Sequence, residues 1–281
     1  MKKRAVIITA DDLGLWPEVN EAVMAGYDSG VISSAGLRVS AAASHAAMVS
    51  ASMRPGLGVG LQLVLCDGQS TLPRKHIPNL VDNAGYFIQR PLEAAWQYRR
   101  RGPHRDELAA EIRAQIEKFL AAGLYLSHVS GAHQMHLHPT VIGILCDLAS
   151  DYPISAIRKP CRELWRASRR YVAPGWQRSV ETLLMTRVIK KGALRARMFV
   201  GPDRVEPLSA ERPTTEHEVA RRIREARTGI TELVCHPGSL AARYDGVGDA
   251  AVVTSQTVRG ALAETGVEFI SYRDLAEGTE A

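Results

Sequence analysis

Residues 6–8, Val-Ile-Ile, run apolar without interruption, and three residues later the chain carries two adjacent acids, Asp11 and Asp12. A continuous apolar run suits a strand buried on both faces, whereas alternation would mark a strand with one wet face. Leu13-Gly14 then turns the chain toward Pro17, whose missing N–H costs nothing at the first position of a helix. A buried strand followed at once by a helix is the unit of an α/β fold, and such folds put chemistry at the C-terminal tips of their strands. One acid could equally cap the Pro17 helix while the other is solvated. Two adjacent carboxylates at such a tip tilt the reading toward a site.

The same unit recurs down the chain. Helices are expected over Pro17–Ser29, Ser44–Met53, Arg105–Ala122, Thr140–Ser150, Thr215–Arg227 and Val252–Glu264. The clearest carries Leu108, Ile112, Ile116 and Phe119 on one stripe, with Gly123 past its end. Strands are expected over Gly36–Ser40, Leu57–Leu65, Leu124–Ser130, Ile154–Arg158, Ile230–Cys235 and Val267–Ser271. About seven such units predict an α/β protein whose parallel strands form one distorted (β/α) barrel over residues 1–281. Two stretches break the rhythm, 66–103 and the Arg-rich 161–213, and both are expected as long ordered insertions.

Several function classes fall away. The four cysteines show no Cys-x-x-Cys spacing, which argues against a zinc knuckle or disulfide framework and for a reducing cytoplasm. The apolar run after Arg4 ends too early for a secretory leader, and no stretch of about 18 apolar residues spans a membrane. The net charge of +5 is mild evidence for an anionic partner. With no Gly-rich phosphate loop or aromatic-basic platform, no nucleic acid is expected.

Three strand tips carry reactive groups: Asp11-Asp12, the cluster His128 to His138, and His236-Pro237-Gly238. In a parallel barrel these tips converge. Two carboxylates with histidines from other strands supply a divalent metal site with a neighbouring base and acid, the equipment for amide or ester hydrolysis. Any single histidine of the cluster could instead satisfy a buried carbonyl or cap the Thr140 helix. Four within eleven residues favour a site.

Five segments, Thr9-Ala10-Asp11-Asp12-Leu13-Gly14, Val59-Gly60-Leu61-Gln62-Leu63, His136-Leu137-His138-Pro139, Ile157-Arg158-Lys159-Pro160 and Glu232 to Gly238, fall in the order found in the ChbG/HpnK (YdjC-type) carbohydrate deacetylases. Residues 267–275 resemble that family's C-terminal signature. The resemblance spans nearly the whole chain and looks closest to the HpnK branch, associated with hopanoid biosynthesis. It implies hydrolytic removal of an acetyl group from an N-acetylated amino sugar, in that branch one borne by a hopanoid. Asp11 is then the general base and Asp12 a metal ligand. His236 protonates the leaving amine or orients the group that does, and Arg158, His136 and His138 support acid or substrate. The implied cofactor is a divalent ion, with Zn, Mg and Co not distinguished.

The chain departs from the family at the implied metal site. Gln62 stands where a ligand histidine is usual, and an ungapped alignment puts Ala132 at the first and Gln134 at the middle position of the usual His-x-His-x-His run. Shifting by one residue lets His133 serve, giving Asp12, Gln62 and His133 as ligands. The alternative reading is a degenerate deacetylase homologue that binds a glycan or glycolipid without turnover. Apolar residues of the two insertions (Leu92, Trp96 and Tyr98; Leu164, Trp165, Tyr171 and Trp176) suit a hydrophobic aglycone. Expected partners are therefore an amino-sugar or glycolipid substrate, with contact to the inner face of the membrane and homo-oligomerisation left open.

Overall fold

The computed structural model describes residues 4–100, 102–160, 176–208, 214–237 and 250–278. Its centre is β1 (Arg4–Leu13), buried at every position after Arg4. It is buried because strands flank both its edges: β6 (Gly229–Cys235) runs along one, while β2 (Ser34–Leu37) and the short β7 (Glu268–Phe269) share the other. β3 (Gly58–Leu63) follows β2, β4 (Val129–Gly131) follows β3, and β5 (Arg204–Pro207) lies outside β6. Every pair is parallel.

Single parallel bridges carry the sheet on from β4, joining Val129 to Ile157 and Ala156 to Val200. Val200 lies four residues before β5, so the two edges of the sheet come round to one segment of chain. The result is a curled α/β sheet flanked by helices, a distorted (β/α) barrel. Helices α1 (Pro17–Asp28), α2 (Ser44–Ser52), α3 (Pro91–Gln97), α4 (Pro103–Ala121) and α5 (Pro139–Leu148) lie in the first half. The expected stripe of α4 is fully buried, Leu108, Ile112, Ile116 and Phe119 each at 0% exposure, and joins the core that β1 anchors.

Several expectations need correction. β2 begins two residues earlier than read, and residues 154–158 make only bridges where a strand was expected. The 66–103 stretch contains α3. The 161–213 stretch, expected as an insertion that breaks the βα rhythm, holds α6 (Trp176–Ala193) and β5 within its described part. The single helix expected over 252–264 is two, α8 (Ala250–Val253) and α9 (Gln256–Glu264), after α7 (Glu216–Arg224). Ser255 starts the second by accepting from the Thr257 and Val258 N–H groups. The strand expected over 267–271 gives way to α10 (Tyr272–Ala276), capped by a reciprocal Ser271–Asp274 box. Thr215 caps α7 by accepting the Glu218 N–H, and the Glu218 side chain pairs with Arg222. Among the described residues no helix is long and apolar enough to cross a membrane.

Candidate active site

Successive residues of a regular strand point to opposite faces, so adjacent acids should not serve one site. β1 escapes this with a bulge. Ala10 pairs with Ala35 and Leu13 with Leu37, three steps on β1 against two on β2. Within the bulge Asp12 adopts φ 66°, and both acids are 5% exposed. Bulges re-aim side chains in this way beside active sites. Asp11 turns to Arg158 and Asp12 to β2 and β3.

Arg158 clamps Asp11 in a fork: Nη1 donates to Oδ2 at 2.7 Å and Nη2 to Oδ1 at 2.9 Å. Its Nε donates to Glu232 Oε1 at 2.9 Å, and the Tyr272 hydroxyl donates to Glu232 Oε2 at 2.7 Å. Stacked on Tyr272, with ring centroids 3.8 Å apart, is His128. Gly60 makes that stack possible, because a Cβ at residue 60 would collide with the His128 ring. Burial works to raise the Asp11 carboxyl, but the Arg158 charge and hydrogen bonds outweigh it and hold Asp11 below its ordinary value. Burial also opposes the charge on Arg158, yet Asp11 and Glu232 together keep it firmly protonated. Burial, reinforced by Arg158, keeps His128 neutral.

Asp12 has its own partners. Arg38, just past β2, brings Nη2 to 2.5 Å from Oδ1. Gln62 on β3 donates from Nε2 to the same oxygen at 3.1 Å and accepts the Asp12 N–H at 2.8 Å. His236 follows β6, and its Nε2 lies 3.9 Å from Asp11 Oδ2 with the side chain 30% exposed. The site therefore brings Asp11, Asp12, Gln62, Arg158 and His236 together from four regions of the sheet.

The histidine cluster divides. His136 Nε2 lies 3.0 Å from the Arg158 carbonyl and donates to it, fixing the backbone that carries the fork. His138 caps α5, its Nδ1 accepting the Thr140 N–H at 3.2 Å and its Nε2 donating to Ala95 O at 3.1 Å. It is 2% exposed and serves the fold. His133 and Gln134 both take left-handed backbone, and His133 Nε2 lies 3.5 Å from Asp67 Oδ2. Asp67, like Asp12, has positive φ; these four are the non-glycine residues of that kind among those described. Such strain gathers where the surroundings over-determine the backbone. Three buried atoms here, His128 Nε2, Ser130 Oγ and His136 Nδ1, find no hydrogen-bond partner among the described residues.

The metal expectation does not fit this donor set. Gln62 spends both ends of its amide on Asp12, Ala132 offers a methyl, and a guanidinium already touches the Asp12 carboxylate. Among the described residues no three His, Cys, Asp or Glu side chains are placed to hold an ion. Sequence reasoning missed Arg38, Glu232 as an anchor, Tyr272 and Asp67. Of the residues offered for an aglycone, Tyr98 is core, its hydroxyl bonded to the Leu65 carbonyl, while Trp96 is 55% exposed. Leu164, Trp165 and Tyr171 lie outside the described residues, as does the side chain of Trp176.

The chain is similar over nearly its whole length to known proteins. Over 97% of its length the chain is 30% identical to a carbohydrate deacetylase of Geobacillus stearothermophilus, covering 98% of that protein. It is 34% identical to a carbohydrate deacetylase of Brevibacillus brevis over 57% of this chain and 59% of the other. A crystal structure from Enterococcus faecalis, whose description assigns it provisionally to cellobiose-phosphate cleavage, superposes with TM-score 0.70 at 23% identity. The match covers 97% of this chain and 99% of that one, and it speaks to the fold. The YdjC-like protein family model matches residues 5–264, and the chain belongs to that family.

Proposed function

We propose that this protein is a carbohydrate N-deacetylase, hydrolysing the acetamide of an N-acetylated amino sugar. The observation that carries the reading is the bulge of β1, which gathers two adjacent buried acids, each with its own arginine, near half-buried His236. A protein that only binds has no need of two adjacent buried carboxylates, one on strained backbone, next to an imidazole. Full-length similarity to proteins named carbohydrate deacetylases supports the same conclusion.

In this reading water adds to the acetyl carbon, the C–N bond of the tetrahedral intermediate breaks, the amine leaves protonated and acetate is released. Arg158 lowers the proton affinity of Asp11, which makes a forked aspartate a weak base. As a weak base Asp11 gives up the proton it takes from the attacking water, passing it to His236, and its restored negative charge stabilises the resulting imidazolium. His236 delivers the proton to the leaving nitrogen. His136 acts through Arg158 as a positioning residue.

The substrate we infer is an amino sugar on an apolar carrier, such as a hopanoid. The order of the sequence motifs and exposed Trp96 support that choice. The test is to incubate the protein with N-acetylglucosaminyl lipid and with free N-acetylated chitooligosaccharides, following free amine and acetate. Release from either class supports deacetylation, and preference for the lipid supports the carrier. Binding of both without release from either would establish the non-catalytic reading instead.

A further inference from the structure

The family resemblance makes Asp12 the carboxylate that would hold an ion, and the fold has surrounded it with other groups. Its Oδ1 accepts from Gln62 Nε2 at 3.1 Å and meets Arg38 Nη2 at 2.5 Å. Both side chains of the ion pair are largely out of water, at 14% exposure for Arg38 and 7% for Asp12. The strand register explains the meeting. Leu37 pairs with Leu13 beyond the bulge, so Arg38 comes directly after the last paired residue of β2, and its side chain reaches Asp12. That placement is clamped, since Arg38 N–H donates to Leu13 O at 2.9 Å and Gly14 N–H to Asn20 Oδ1 at 2.8 Å. Gln62 occupies the neighbouring strand at the pair Gln62–Ser130, where an imidazole would be needed to compete for an ion.

We propose that Arg38 is the built-in cation of this site: its guanidinium takes the place on Asp12 that a divalent ion would need, and the site works without one. Each acid of the bulge then has a dedicated arginine, Arg158 for Asp11 and Arg38 for Asp12. A buried carboxylate left unpaired is costly, so the fold keeps Arg38 where it is. Arg38 Nε is buried without a partner among the described residues, so the fork is only partly used by the protein. The inference deepens the deacetylase reading, because it names the charge that replaces an ion beside the acyl oxygen.

Its first readout is bound metal, not turnover. The full-length protein and Asp12→Ala are dialysed against Zn²⁺ and then buffer, and bound metal is counted. The parent is expected to hold less than a tenth of an equivalent, with a melting temperature unmoved by Zn²⁺ or a chelator. One equivalent held by the parent and lost in Asp12→Ala would overturn the proposal. A double-mutant cycle of Arg38→Met and Asp12→Asn supplies the second readout. Arg38→Met is expected to lower the melting temperature by roughly 5 °C or more when Asp12 is present, and by clearly less beside Asp12→Asn. Equal effects in the two backgrounds would also overturn it. A protein free of metal with a coupled pair, yet unable to release acetate, would sink the deacetylase reading and leave Arg38 in its role. One that deacetylates only with bound Zn²⁺ would do the reverse.

Discussion

At the scale of single residues the site is a problem of buried charge. Asp11, Glu232 and Arg158 are all within the protein, at 5%, 0% and 6% exposure. Removing the cation strands two carboxylates, so Arg158→Met should cost about 3–5 kcal/mol in urea unfolding; a loss under about 1 kcal/mol would show that the fork is not holding them. His136 and His138 make an opposite demand. Burial pushes each down from 6.5 to about 4, so the folded protein keeps them neutral while the unfolded chain takes up protons. Between pH 6.5 and about 4 the unfolded state therefore binds more protons, and stability falls as pH falls through that window. The integrated loss is on the order of 3 kcal/mol for each ring. His138→Asn keeps a capping acceptor for Thr140 and should flatten the acid limb of a stability–pH curve. An unchanged limb would contradict this account. Asp11 adds a further loss only in stronger acid, below its ordinary 3.8, because Arg158 lowers its folded value.

Among elements, close packing between strands decides what the site can be. Gly36 and Gly60 are the points where backbone gives way to function. A Cβ at Gly36 would sit 2.9 Å from Asp11 Oδ1, and one at Gly60 would strike His128. Gly60→Ala should cost about 1–3 kcal/mol by overpacking, and His128→Ala in the same chain should recover much of it. A fully additive pair would mean that the stack on Tyr272 is not what Gly60 serves. Most elements were legible because their signals are local: the stripe of α4, Pro17 and Pro139 at helix starts, and the apolar run of β1. β5 was not, since Arg204-Val205-Glu206-Pro207 carries two charges and a proline and only Val205 is buried. Its strand character comes from pairing with β6, which no local pattern announces.

For the whole molecule, the parallel order of strands carries the site, and that much could be read from the βα rhythm. Asp11, Asp12 and His236 could be grouped from sequence because each stands at or near a strand tip, and Arg158 from the family resemblance; the structure brings the four together. Arg38 could not be, because its meeting with Asp12 depends on a one-residue bulge in β1. Glu232 and Tyr272 were missed for a similar reason. They sit 40 residues apart and meet only when β6 and α10 are packed around Arg158. The metal reading came from residue types at strand tips and from the family resemblance, and the structure sets a guanidinium and the Gln62 amide against Asp12. The claim that binds these scales together is that the cleft breaks an amide bond with His236 as its proton carrier. The most direct measurement is the initial rate of acetate release from an N-acetylglucosamine oligosaccharide or glycolipid by the parent protein and by His236→Gln. The account predicts release by the parent and a drop of roughly 10²–10⁴ in the variant at unchanged melting temperature. Equal rates, or a parent that binds the sugar and releases no acetate, would contradict it.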